Sequence, residues 1–165
     1  MSSAIVLPTL TNWAKNHITA IFTATNATDF NSAMDAFLSD KAVITVNGVQ
    51  TSRADFISQT QGEKFDEIGA TVNFAGAVEV PTDPNQPINA GSVGLFFNVV
   101  ITEGILVLGA PISHQQTVSL NIVVAEDPDV PSPPPSPIRR PFDGRRVMVL
   151  NQVTASGPAP AETAA

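Results

Sequence analysis

Two imidazoles, His17 and His114, are the side chains of this sequence best suited to moving a proton near neutral pH. A histidine with a pKa near ~6.5 acts as a general base, and in its neutral form it orients a hydroxyl or carbonyl. Asp66 is a third candidate base. A base of this kind needs a pKa tuned by its surroundings, next to a bound molecule. Other polar chemistry is sparse. The chain has no cysteine and no tyrosine, so it offers no thiolate nucleophile, disulfide, zinc–thiolate site or phenolic donor. Two histidines far apart in sequence exclude a histidine-rich metal site, and no metal or cofactor is expected. Aromatic residues at inward positions, Trp13, Phe37, Phe74 and Phe97, are the expected walls around His17 and His114, giving an apolar pocket with few polar groups.

The elements that must position these residues follow from periodicity. A first helix is expected over residues 9–25, capped by Thr9 or Thr11. Stepping ~100° per residue puts Leu10, Trp13, Ala14, His17, Ile21 and Ala24 on one face, with Asn12, Lys15, Asn16, Thr19 and Thr23 opposite. His17 then sits at the centre of an apolar face, either as a buried core histidine satisfied by a carbonyl or as a polar group inside a cavity. A second helix is expected to open at Thr28, with Asp29 favouring the positive end of its dipole. The formal glycosylation sequon Asn26-Ala27-Thr28 reads as a helix cap. Residues 41–46 are a β-branched strand, Asn47-Gly48 a turn, and Ser52 with Asp55 a capping box for a third helix over residues 53–61.

Long strands follow. Residues 69–80 alternate, residues 92–109 are apolar on both faces, and a turn at Pro111-Ile112 leads into residues 113–126. There Val118, Leu120, Ile122 and Val124 share a face with His114 and Gln116. A strand apolar on both faces reads as central and covered on both sides, the second cover being supplied by a partner subunit. Residues 127–144 form a proline-dense loop, expected as a mobile excursion anchored only by Val130, Ile138 and Phe142. Asp143-Gly144 turns the chain into a last strand, residues 145–153. Residues 1–8 and 155–165 are expected tails around one domain, 9–154.

Helix, short helix, strand, glycine turn, short helix and then long antiparallel strands resembles the nuclear-transport-factor-2-like superfamily, which includes SnoaL-like polyketide cyclases, scytalone dehydratase and ketosteroid isomerase. Thr28-Asp29-Phe30, Leu38-Ser39-Asp40, Val43-Ile44-Thr45-Val46, Asn47-Gly48 and Ser52-Arg53-Ala54-Asp55-Phe56 carry the likeness. The resemblance implies an α+β fold in which a strongly curved, mostly antiparallel sheet wraps a helical hairpin and a third short helix. It also implies an apolar cavity at the open end and pairing of two copies through the outer face of the sheet. Family enzymes place an Asp, His or Tyr in that cavity. With no tyrosine, this chain lacks the phenolic donor of the isomerases and dehydratases, and no residue matches a catalytic motif.

Composition narrows the partners. A formal net charge of -7 and a pI of about 4.5 argue against nucleic acid, because phosphate contacts need clustered Lys and Arg. The one basic cluster, Arg139-Arg140 with Arg145-Arg146, lies beside the proline loop. No apolar run reaches the ~18–20 residues of a membrane span. The opening Met-Ser-Ser-Ala-Ile-Val-Leu-Pro has no basic region ahead of its short apolar run, so a cytoplasmic location is expected. Three functions compete: a carrier or binding domain for a small apolar molecule, an isomerase, dehydratase or cyclase using a pocket His or Asp, and an interaction module. The last rests on Pro134-Pro135-Ser136-Pro137-Ile138-Arg139, which fits the P-x-x-P-x-R shape read by SH3 grooves.

Overall fold

Helix starts are set by side chains that take up orphan backbone donors. The computed structural model describes residues 7–62, 67–132 and 142–159. Thr9 caps α1 (Leu10–Thr23) by accepting from the Asn12 N–H. The second helix, α2 (Ala27–Phe37), is capped by Asn26 and not by Thr28, which lies inside its first turn. The Asn26 side chain accepts from the Asp29 N–H at 2.8 Å, and its Nδ2 donates back to Asp29 Oδ2 at 2.7 Å. Two mutual bonds at Asn26 outweigh the single bond open to Thr28.

β1 (Leu38–Val46) and β2 (Val49–Thr51) form a hairpin across Asn47-Gly48, both residues at positive φ. Asparagine and glycine tolerate that conformation better than other residues. Ser52 Oγ accepts from the Asp55 N–H and opens α3 (Arg53–Gly62). The remaining strands are β3 (Glu67–Pro81), β4 (Gly91–Val107), β5 (Ala110–Glu126) and β6 (Arg145–Pro158). The turn between β4 and β5 falls at Leu108-Gly109, with φ of 53° and 82°. The expected turn at Pro111-Ile112 is therefore inside β5, where Pro111 pairs with Leu106. β6 also runs past Val153: Ala155–Pro158, expected as tail, pair with His114–Thr117.

The six-stranded sheet has the order β2-β1-β6-β5-β4-β3. Every neighbouring pair is antiparallel except β1 with β6, which is parallel. α1 and α2 lie against one face. That face buries Val93, Leu95, Phe97, Val99 and Ile101 of β4, Val118, Leu120, Ile122 and Val124 of β5, and Val147 and Leu150 of β6. The helices add Leu10, Trp13, Ile18, Ile21, Phe30, Met34 and Phe37 to the same core. Gly91 is required where α1 meets the β3–β4 corner: a Cβ there would stand 2.8 Å from Leu10 Cδ1.

Among the described residues, no helix or loop covers the other face of the sheet. β4 is next to the edge strand and not central, and Phe96 on its outer face is 47% exposed. Val78 and Val80 of β3, Val123 of β5, Val149 and Val153 of β6 and Val43 of β1 are exposed on that side too. Val123 pairs with Val149, which pairs in turn with Val43.

Candidate functional site

Between the helices and the inner face of the sheet lies a void of about 400 Å3 including its mouth, of which about 30 Å3 is open to solvent-sized molecules. As it stands, that inner space holds one or two waters. α1 supplies Ile18, Ile21 and Phe22 to its walls, α2 supplies Met34 and Phe37, and α3 supplies Phe56 and Thr60. The sheet supplies Phe97, Gln116, Leu120, Leu150 and Gln152. These positions follow from the two periodicities: one turn-spaced stripe on each helix and alternate residues on each strand.

The polar members of this lining are neutral. Gln116 is only 2% exposed and stands on β5 opposite Val99. Gln152 stands on β6 opposite Leu120. Thr60 donates its hydroxyl to the Phe56 carbonyl at 2.9 Å, which leaves only its oxygen lone pairs for another group. No ionisable side chain lines the void among the described residues.

Of the residues expected to form the pocket, Phe37 and Phe97 line it. Phe74 packs behind Phe97, ring centroids 5.5 Å apart, with the Lys15 ammonium over its other side at 5.4 Å. Trp13 and His17 lie on the far side of Phe37. The His17 ring is 4.5 Å from that of Trp13 and 6.1 Å from that of Phe37, and His17 is not among the residues that line this void. Its half-buried imidazole is held well below its ordinary pKa, at about 4. Burial lowers it most; the Asp143 carboxylate raises it, and the Arg146 and Arg145 charges lower it further. Such a group is neutral at pH 7 and a weak base. His114 shares the inward face of β5 with Gln116, two residues away, and is not among the residues that line this void. His114 Nδ1 lies 3.2 Å from Glu103 Oε1, with both side chains partly exposed. Asp66 lies outside the described residues, as does Pro134–Arg139.

The charged groups cluster elsewhere, where β6 begins. Arg145 is 1% exposed, and its guanidinium is almost fully engaged. Nε and Nη2 donate to the two oxygens of Asp143, each at 2.9 Å. Nη1 donates to the Pro8 carbonyl at 2.9 Å and to the Ile88 carbonyl at 2.7 Å. The guanidinium carbon lies 5.7 Å from the centre of the Trp13 ring. Burial alone would raise the Asp143 pKa, but the hydrogen bonds and charge of Arg145 outweigh it and hold the carboxyl below its usual range.

A second cluster holds the other end of the proline loop. Ser39 donates to buried Asp127, whose other oxygen lies 3.3 Å from Lys41 Nζ and accepts from the Asp129 N–H at 3.0 Å. The Ser39 bond, the Asp129 N–H and Lys41 together lower the Asp127 pKa against the effect of burial. The Asp127 N–H donates to the Gly144 carbonyl, which closes the base of the loop. The described ends of the loop are held by Asp127 and Asp143; Val130 is half-buried and donates its N–H to the Asp127 carbonyl, Phe142 is exposed, and Ile138 lies outside the described residues. The expectation that the whole excursion is mobile thus does not extend to its two ends.

No family model and no curated protein matches this sequence. Solved structures do. Mtr2 of Candida albicans superposes with a TM-score of 0.55 at 17% identity, covering 92% of this chain and 96% of that one. AclR of Streptomyces galilaeus, a provisionally assigned hydroxylase, gives 0.52 at 14%, covering 87% and 90%. The chain has the nuclear-transport-factor-2-like fold. AusH of Aspergillus nidulans gives 0.50 at 12%, covering 86% and 80%. At such identities the fold is shared and the chemistry is not carried with it. Within the nuclear-transport-factor-2-like cone of this chain, no group of three or more metal-ligating side chains occurs among the described residues. No helix there is long and apolar enough to cross a membrane.

Sequence reasoning placed Gln116 on the inward face of β5 but did not select it, and it missed Thr60 and Gln152. The available signal was one polar residue on an otherwise apolar face. That signal was equally strong at His17 and His114, and imidazoles drew the attention because they titrate.

Proposed function

We propose that this domain binds a small apolar molecule in its cone without transforming it. The supporting observation is the void itself: four phenylalanines, Phe22, Phe37, Phe56 and Phe97, around neutral polar side chains, with no ionisable group among the described lining. Apolar walls with a few placed polar groups are the usual make-up of a small-molecule site. Acid–base catalysis would require a tunable proton carrier within reach. A ring compound needs more room than one or two waters, so side chains of the lining must yield on entry. The test is a thermal-shift screen of apolar ketones, phenols and fatty acids. A rise in Tm with at least one ketone or phenol is expected; no shift with any compound removes the reading.

One observation favours a second, enzymatic reading. The Glu103 carboxylate beside His114 Nδ1 is the arrangement that fixes which nitrogen of an imidazole carries the proton and how the ring is oriented. In that reading His114 is the base at the rim of the cone. A product formed from any screened ligand by the wild type, and lost in His114→Asn, would favour it.

The bare sheet face supports a homodimer. Phe96 and the exposed valines form an apolar surface of a kind uncommon on monomers. The similar fold of C. albicans Mtr2, solved in complex with the Mex67 M domain, supports the broader idea of a protein partner on this scaffold. Light scattering of wild type and Phe96→Glu separates dimer from monomer. The SH3-type reading of Pro134–Arg139 rests on sequence alone.

A further inference from the structure

The three helices are not held against the sheet equally. α1 is tied near its start, where Thr11 donates to Glu79 of β3 at 3.0 Å and Trp13 meets the Arg145 guanidinium. α2 is tied at its end, where the Asp35 carbonyl accepts from Arg146 Nε at 2.9 Å and Phe37 runs directly into β1. α3 has less to hold it. Phe56 and Thr60 are its buried residues, and Ile57 packs partly against the core. Ala54, Asp55, Ser58, Gln59 and Gln61 are exposed. Among the described residues, its one polar tie to another element is Arg53. There Nη2 donates to Asp35 Oδ1 at 2.9 Å and to the Leu38 carbonyl at 3.3 Å. From Ala54 to Gly62 no hydrogen bond reaches another element among the described residues, and the Thr60 hydroxyl is turned back onto the Phe56 carbonyl. The least buried members of the lining are Phe22, Phe56, Thr60 and Gln152, so the void comes nearest to solvent where α3 supplies its wall.

We infer that α3 is the movable wall of the cone, swinging about Arg53 to lift Phe56 and Thr60 out of the lining and admit a ligand. This rests on the binding reading above and adds how the site is reached. The inner space holds one or two waters, so a ring-sized guest enters only when part of the wall moves. Displacing α1 would break the Thr11–Glu79 bond and draw Trp13 away from a buried charge. Displacing α2 would break the Arg146–Asp35 bond and pull Leu38 off its partner Val147. A swing of α3 about Arg53 breaks no hydrogen bond between described elements and uncovers chiefly one phenylalanine ring. The hydrogen bonds inside α3 travel with it. Elements with few buried apolar contacts open at the least cost, and walls that admit ligands commonly move on the μs–ms timescale.

Amide hydrogen exchange on the intact protein, in water and in low urea, tests the motion without a ligand. After correction for intrinsic rates, the amides of Ile57 to Gln61 should exchange at least about 100-fold faster than those of Ile18 and Ile21 in α1 and Val118 to Val124 in β5. Their rates should depend little on urea, the mark of a local opening. Phenol and cyclohexanone are the probes for the ligand arm. At saturation either should slow the α3 amides, whereas fraying unrelated to the void would be unaffected. Arg53→Ala should speed α3 exchange about 3- to 10-fold, the loss of a partly exposed tie. It should raise the association and dissociation rates of phenol together by a similar factor and leave Kd within about twofold, because the open state is more populated but still minor. If Arg53→Ala does not fold, Asp35→Ala loosens the same tie from α2. Exchange at α3 as slow as in α1 and β5 overturns the inference while the binding reading stands. So does α3 exchange untouched by bound phenol, or a variant whose association rate is unchanged. If neither probe binds, the binding reading falls. Fast exchange at Ile57 to Gln61 then keeps α3 as the movable wall, and slow exchange removes it too.

Discussion

α1 passes between two environments that handle polarity in opposite ways. Near its start, Trp13 meets the Arg145 guanidinium, a full charge taken almost entirely out of water. That charge is matched by a carboxylate, two carbonyls and an aromatic face. Further along, Ile18, Ile21 and Phe22 meet a void whose polar groups are neutral amides and a hydroxyl. A buried charge with all its partners supplied by the protein belongs to the architecture, since removing any partner leaves an uncompensated ion. Neutral polar groups cost less to bury than a charge does. Charge thus marks where the fold is closed, and neutral polarity lines the void proposed to take a ligand. His17 stands at the boundary between the two.

The largest expected effect comes from breaking the closed end. Arg145→Met should cost about 3–5 kcal/mol, because Asp143 is left partly buried without its partner and two carbonyls lose their donors. Arg145→Lys should recover little of this, since an ammonium cannot make the forked pair with Asp143 and also reach Pro8 and Ile88. Urea unfolding midpoints check both. A loss below 1 kcal/mol for Arg145→Met would mean the cluster is not what closes this end.

A smaller effect sharpens the same contrast through pH. The His17 pKa in the folded protein is about 4, below its ordinary value near 6.5. As pH falls below about 6.5 the unfolded chain takes a proton that the folded chain refuses until about 4, so stability declines across that window. After allowance for its partial exposure, the decline between pH 7 and 4.5 should be about 1–2 kcal/mol. His17→Leu should fold and lack this decline. Both proteins should still lose stability below about pH 4, where protonation removes what the lowered carboxyls of Asp127 and Asp143 contribute. Paired denaturation curves at pH 7, 4.5 and 3.5 measure it. Because His17 lies outside the void, its substitution should leave ligand binding unchanged, in contrast to the sequence-based expectation that it holds the ligand.

The smallest effect is expected in the proline loop. Replacing residues 130–141 with a short Gly-Asn turn keeps Asp127, Asp129 and Asp143, and with them the clusters at both ends of the loop. Tm should change by no more than about 2 °C, because loop length itself contributes weakly. A fall of many degrees would place structural weight on the segment that was removed. The anchoring clusters would then be only part of what holds the β5–β6 connection.

Local pattern alone determined much of this protein. The stripe Leu10, Trp13, Ala14, Ile21 specified α1 and its buried face, Ser52 with Asp55 set the start of α3, and Asn47-Gly48 set a hairpin turn. Alternation from Val118 to Val124 fixed which face of β5 is covered, Gln116 included. These features depend on residues a few positions apart, and short-range periodicity and capping report them directly. What the sequence left open depends on contacts between distant residues. Whether His17 entered the cone turned on how α1 is rotated against Phe37. That rotation is set by Trp13 meeting Arg145 at one end and Phe22 meeting Phe97 at the other. Arg145 read as part of a basic cluster beside a loop, because nothing local shows that the Pro8 and Ile88 carbonyls converge on it. Gln152 came to line the void only when β6 took its register between β5 and β1, with a bulge near Met148 resetting which residues face inward. Side-chain direction along a strand is a local property up to such a bulge. Beyond it, the pairing with neighbouring strands decides.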